Sequence, residues 1–261
     1  MKPVIAIHKF ASCDGCQLAF LNAGLELITL SELVDIAHFP EAGPVDEERQ
    51  VDIAFVEGSV TTPADVDRIR RIRTRSLFLV TIGACATAGG IQALRNYANV
   101  EDWTSAIYAS PEYIQTLASS TPIREHVNVD LELWGCPVSS EQIMRTIRDL
   151  LSGVIPRIKE DKVCLECKRQ GQVCVMVTRN LPCMGPVTRT GCGAICPRYS
   201  RDCYGCYGPA ENCNSNAMIN RLEGIGLVPS EIARRFVFIN SQASEFRTAG
   251  ETALAKAAES T

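Results

Sequence analysis

Two rhythms of apolar and polar positions alternate through the first 156 residues. Residues 4–7 (VIAI) are short, apolar and partly β-branched, which predicts a buried strand. Residues 17–30 place apolar side chains at helical spacing and predict one amphipathic helix. Residues 33–39 alternate as a second strand, 51–56 (VDIAFV) form a third and 77–82 (LFLVTI) a fourth. Between the last two, Pro63 suits the first turn of a helix over 63–74. A helix-leaning region runs to about residue 119, residues 127–134 predict a fifth strand, and 139–151 a closing helix. Past Pro156 the rhythm stops. Charged residues 157–162 make a link, a segment with no long apolar run follows, and helical patterns return at 216–225, 229–236 and 243–258. No internal repeat of fixed period occurs.

Strands alternating with helices imply a parallel sheet with right-handed crossovers. Five such strands suit a flavodoxin-like α/β domain over residues 1–156. Residues 157–261 then form a second, irregular, cysteine-rich domain that ends in helices. Its stretch from Cys164 to Cys206 is rich in glycine and proline and cannot offset its chain entropy by burying side chains. Cysteine is the group left to order it, through disulfides, zinc or iron–sulfur clusters.

Open α/β sheets bind ligands beyond the carboxyl ends of their strands. Cys13 and Cys16 follow the first predicted strand, Cys85 the fourth and Cys136 the fifth. These four cysteines are therefore expected at one sheet edge, with Glu57, which follows the third strand, beside them. Glu57 reads either as a strand-end carboxylate satisfied locally or as a proton relay at that edge. Eight further cysteines divide in sequence order into Cys164, Cys167, Cys174 and Cys183, then Cys192, Cys196, Cys203 and Cys206. An interleaved division is the alternative, since two-cluster ferredoxin folds pass a ligand between sites. Four thiolates hold zinc as well as a [4Fe–4S] cube. Zinc sites more often come from paired C-x2-C knuckles, so a set split over three loops favours clusters. Cys213 is left over and reads as a free buried thiol.

Composition narrows the field. The net charge of −4 and pI near 5.5 give no electrostatic footprint for nucleic acid. No segment approaches the roughly 18 apolar residues of a membrane helix, and the amino terminus lacks a secretory pattern. The expected location is the cytoplasm, where thiols stay reduced and thirteen cysteines point to metal over disulfide. Arg68, Arg70, Arg71, Arg73 and Arg75 read as a solvated helix face. His8, His38 and His126 read as isolated, hydrogen-bonded structural residues. Arg189 and Arg198, between the cysteines, read as solvated or as tuning groups near a cluster. No G-x-G-x-x-G follows a strand, so nicotinamide and flavin are expected on other chains.

The motifs Ser12-Cys13-Asp14-Gly15-Cys16, Glu57-Gly58-Ser59-Val60, Gly83-Ala84-Cys85-Ala86 and Gly135-Cys136-Pro137 stand in order before a long run from Cys183 to Pro197. In this order the chain resembles the small subunit of nickel–iron hydrogenases over nearly its whole length, and most of all the cytoplasmic sulfhydrogenase δ type. The resemblance implies an electron carrier with three [4Fe–4S] clusters. The proximal one would sit on Cys13, Cys16, Cys85 and Cys136. The medial one would take Cys192, Cys196, Cys203 and Cys206, and the distal one Cys164, Cys167, Cys174 and Cys183. Cys196 and Cys164 fill places where many exported relatives carry proline and histidine, which implies three four-iron cubes. The nickel–iron centre, with its hydrogen chemistry, would lie on a large partner subunit, and flavin and NAD(P) on further iron–sulfur subunits. Three other readings are a small subunit feeding a deazaflavin or heterodisulfide reductase, the related quinone-reductase subunit, and a zinc-binding interaction module. The quinone-reductase family shows adjacent tandem cysteines, which this chain lacks.

Overall fold

The computed structural model describes residues 2–259, which fall into two compact units divided between Pro156 and Arg157. In the first unit the strands are β1 (Val4–Lys9), β2 (Asp35–His38), β3 (Val51–Glu57), β4 (Ser76–Ile82) and β5 (Leu131–Leu133). They form one sheet in the order β2-β1-β3-β4-β5, all pairs parallel. This is the expected flavodoxin-like order. The helices are α1 (Gly15–Leu21), α2 (Leu25–Leu33), α3 (Pro63–Arg75), α4 (Gly83–Ala88), α5 (Val100–Ile107) and α6 (Ser140–Leu151).

Alternation along β3 shows why both faces must be covered. Ala54 and Val56 join Ile69 and Ile72 of α3 in one buried cluster. Phe55 points to the other face and meets Phe20 of α1 edge-on, with ring centroids 5.3 Å apart. Parallel strands buried on both sides read as near-continuous apolar runs. The start of α3 is set by sequence: the Asp65 N–H donates to Thr62 Oγ1 at 3.1 Å and the Thr62 N–H to Asp65 Oδ2 at 2.9 Å, with Pro63 in the first turn.

Three sequence expectations are corrected. The single helix over 17–30 is two, α1 and α2, because Gly24 turns the chain with φ of 58°. The fifth strand is only three residues long, held at its start where the Leu79 N–H donates to Asp130 Oδ2 at 2.8 Å. The arginines of α3 are not one solvated face. Arg68 and Arg75 pair with Glu47 and Glu48, and Arg73 with Asp130 at 3.1 Å, while Arg70 and Arg71 stay exposed.

The second unit is built from α7 (Val163–Arg169), α8 (Val175–Arg179), α9 (Ile195–Arg198), α10 (Ser215–Gly224), α11 (Pro229–Val237) and α12 (Ser244–Glu259). Phe236 of α11 and Phe246 of α12 are buried and pack edge-on, 5.6 Å between centroids. α7 to α9 are short and separated by loops whose order comes from side chains. Glu166 accepts from the Gly191 N–H at 2.9 Å and the Ala194 N–H at 3.1 Å, and Asn240 donates to the Gly205 carbonyl at 2.8 Å.

Candidate metal centres

At the carboxyl edge of the first sheet, Cys13 lies in the loop after β1 and Cys16 in the first turn of α1. Cys85 lies in α4 directly after β4, and Cys136 in the loop after β5. The thiols stand close enough for charge on one to raise the pKa of another: Cys85 feels Cys136 and Cys13, and Cys16 feels Cys85 and Cys136. Burial is the larger cause in each case. It pushes the Cys85 thiol up to about 12, against a hydrogen bond to Gln92, and raises Cys16 further, with Glu57 adding to the effect.

Glycine shapes the space between these sulfurs. A Cβ on Gly83 would overlap Cys16 Sγ, and one on Gly90 would stand 2.6 Å from Cys85 Sγ. Both residues have positive φ, 83° and 65°, where a side chain is also strained. The edge is held by backbone and side-chain bonds. The Ala84 N–H donates to the Gly135 carbonyl at 2.7 Å, and Gln92 reaches across to the Ala11 carbonyl at 2.8 Å while its Oε1 accepts from Cys85 at 3.4 Å. Glu57 is buried and accepts from the Cys16 N–H at 3.2 Å and the Gln17 N–H at 3.0 Å, capping α1. Burial raises its pKa in spite of those bonds.

In the second unit Cys164 feels Cys183, Cys167 and Cys174, and burial pushes its thiol up to about 11. Gly185 lies against this group: a Cβ there would be 3.5 Å from both Cys164 Sγ and Cys183 Sγ. Of the remaining four, Cys192 feels Cys196, whereas Cys203 feels Cys183 of the other set ahead of Cys206, so the structure does not bring these four together as one isolated group. The Cys203 N–H donates to Cys183 Sγ at 3.2 Å, so the segment that carries one set also holds a sulfur of the other. Cys213 stands apart; its electrostatic neighbours are Glu245 and Lys162. Arg189 donates to the Pro209 carbonyl at 3.0 Å and pairs with Glu160, while Arg198 is exposed.

All thirteen cysteines are free. The positive-φ glycines make room for the sulfurs to converge, and a metal that takes thiolates would replace the protons of thiols that burial and mutual charge otherwise keep neutral. The sheet-edge thiols and their glycines fit an iron–sulfur cluster on that ground. Gln92 and Glu166 were not legible as site residues: each acts through long-range bonds, and neither lies in a motif that names it.

A parallel sheet with thiols at its carboxyl edge, followed in the chain by a second cysteine-rich unit, is the build of an iron–sulfur oxidoreductase subunit. Comparison with known proteins agrees. A family model described as the NADH ubiquinone oxidoreductase 20 Kd subunit matches residues 13–150, just over half of the chain. The chain is 34% identical over 231 residues to sulfhydrogenase 2 subunit delta of Pyrococcus furiosus, covering 88% of this chain and 96% of that one. It is 26% identical to a subunit of the F420-non-reducing hydrogenase of Methanocaldococcus jannaschii, covering 88% and 92%. A chain in the crystal structure of an NAD+-reducing [NiFe]-hydrogenase is 32% identical, with a TM-score of 0.57 over 60% of this chain and 96% of that one. The chain belongs to the nickel–iron hydrogenase small-subunit family, in the sulfhydrogenase δ branch, and is a subunit of a hydrogenase complex. No helix among the described residues is long and apolar enough to cross a membrane.

Proposed function

We propose that this subunit relays electrons through three [4Fe–4S] clusters, between a nickel–iron site on a large partner subunit and a flavin subunit linked to NAD(P) or ferredoxin. The observation that carries the reading is the gathering of four free thiols from three strand ends, packed against glycines that a side chain would drive into the sulfurs. The proximal ligands are Cys13, Cys16, Cys85 and Cys136; the medial ligands are Cys192, Cys196, Cys203 and Cys206; the distal ligands are Cys164, Cys167, Cys174 and Cys183. When bound, the clusters supply one-electron transfer at potentials that all-thiolate ligation keeps low. The chain's own part is to hold the thiolates, exclude water and aim N–H groups at sulfur, as Cys203 does at Cys183. Cys213 takes no ligand role. Likeness to a chain of an NAD+-reducing [NiFe]-hydrogenase favours the nicotinamide link. A second reading is that a heterodisulfide reductase accepts the electrons; likeness to a hydrogenase named as not reducing F420 is compatible with it.

Anaerobic purification of the complex tests both. The expected result is about twelve irons with matching sulfide on this chain, paramagnetic signals after dithionite, and hydrogen-dependent NAD(P)+ reduction that Cys85→Ser abolishes. Zinc in place of iron would overturn the proposal, and co-purification with a heterodisulfide reductase instead of a flavin subunit would select the second acceptor.

A further inference from the structure

On the β2 side of the first sheet a second set of donor groups converges, with no cysteine among them. His8 lies in β1, His38 ends β2, and Glu47 belongs to the connection between β2 and β3. One ligand atom from each falls within 4.8 Å of the others. His38 Nε2 is 3.5 Å from Glu47 Oε1, and His8 Nδ1 is 4.0 Å from the same oxygen. The two imidazoles stack with centroids 4.6 Å apart. These histidines are therefore not the isolated, hydrogen-bonded residues that their sequence positions imply.

Their polar atoms are poorly satisfied: a backbone contact with Val45 is the one hydrogen-bond influence on His38 besides the nearby charges. His8 is 3% and His38 4% exposed, yet His8 Nδ1 and both ring nitrogens of His38 make no hydrogen bond of acceptable geometry. Each such atom costs about 1–3 kcal/mol, and a protein retains that cost where something else satisfies the group. We infer that His8, His38 and Glu47 bind a divalent transition metal of the zinc class, at a site that shares no residue with the cysteine sets.

Two imidazoles and a carboxylate are a recurrent donor set for such ions. Burial, then the neighbouring His38 and Arg68, push the His8 pKa down to about 3, which keeps its ring neutral and its lone pair free. Metal–ligand bonds near 2.0–2.2 Å place tetrahedral ligand atoms about 3.3–3.5 Å apart. The His38–Glu47 distance of 3.5 Å already meets this; His8 must approach Glu47 by about half an ångström, and the two histidine ligand atoms, within 4.8 Å of each other, must close by up to about 1.3 Å. The stacked rings must splay, and in turning His38 exchanges its backbone contact with Val45 for the metal.

Among the described residues, Arg68 is the facing cation, opposed by Glu47 itself and by Asp46 beside His38. It bonds Glu47 Oε1 and the Lys9 carbonyl and lies over the Phe10 ring at 4.7 Å. Arg68 holds Oε1 through both Nε and Nη2, with Nε also 3.4 Å from Oε2, so metal binding through Oε1 requires the guanidinium to shift onto Oε2. The Glu47 side chain is 34% exposed, which gives an ion its entry path and leaves room for a water in the fourth position.

The test uses the anaerobically purified, cluster-loaded complex with zinc chloride as the probe. Zinc per complex is measured by equilibrium dialysis, its ligands by X-ray absorption at the zinc edge, and iron content reports whether the cysteine sites are intact. The expected result is one zinc with only nitrogen and oxygen neighbours. His38→Gln and Glu47→Gln should each weaken it about tenfold or more at unchanged iron content. Glu47→Gln keeps the argument testable if His38→Gln misfolds, because its side chain is partly exposed. Zinc found only among sulfurs, no zinc bound, or a nitrogen–oxygen site unaffected by Glu47→Gln would overturn the inference.

Discussion

Replacing Gly83 by alanine probes the sheet-edge centre through one methyl group. The residue opens α4 with φ of 83°, and its Cβ would overlap Cys16 Sγ and lie 3.4 Å from the Gly135 carbonyl oxygen. Two costs add. An L side chain at positive φ costs about 1–2 kcal/mol. The overlap then forces the sulfur back by about 1 Å in a packed surrounding that relaxes only in part. Metal–sulfur distances hold to within about 0.2 Å, so a displacement of that size removes Cys16 as a ligand. The control is Gly153→Ala, where φ is 72° and nothing lies within 4 Å of the added Cβ. Both variants carry the backbone strain, and only one touches sulfur. Iron content per chain and the reduced paramagnetic signals are the assay. Gly83→Ala should fall from about twelve irons to about eight, and Gly153→Ala should keep all of them. Equal iron in the two variants would refute the claim that Cys16 Sγ faces a cluster across Gly83.

Glu57→Gln turns an amide donor toward one of the two N–H groups that Glu57 now accepts from, and should lower stability by about 1–3 kcal/mol in denaturant melts. If Glu57 relayed protons instead, the same variant would shift the pH profile of hydrogen oxidation with little change in the melt. Phe246→Ala should cost about 3–5 kcal/mol. It should also lower iron content in the second unit, because a Cβ on Gly205 would lie 3.3 Å from the Phe246 ring, which places that ring under the Cys203–Cys206 turn. Urea melts at unchanged iron content would contradict the coupling. His8 has a folded pKa of about 3 against an ordinary value of 6.5, so the unfolded chain binds the extra proton between those values. Stability should therefore be complete above about pH 6.5 and fall on acidification by about 1.4 kcal/mol per pH unit, flattening near pH 3. Urea midpoints at about pH 7, 6 and 5 in the presence of EDTA should show that slope in the parent and a shallower one in His8→Gln; parallel slopes would refute it.

Periodicity alone carried the order of strands and helices in the first unit, since a strand buried on both faces and a helix with one apolar stripe leave different marks on a chain. From that order followed the parallel sheet, and from the sheet the convergence of Cys13, Cys16, Cys85 and Cys136, because strand ends share an edge whatever their separation in sequence. Local signals failed where the decisive contact is distant. Residues 17–30 keep their helical spacing through a break that depends on Gly24 adopting positive φ. Arg68, Arg73 and Arg75 resemble Arg70 and Arg71 until Glu47, Glu48 and Asp130 arrive from other segments. In the same way, His8 and His38 are single histidines in two strands until parallel pairing of β1 with β2 stacks them and the following connection brings Glu47 alongside. Composition and spacing determine which elements form and which residue types they carry. Tertiary structure decides which of those residues meet, because a contact between side chains dozens of positions apart exists only after the chain between them has folded.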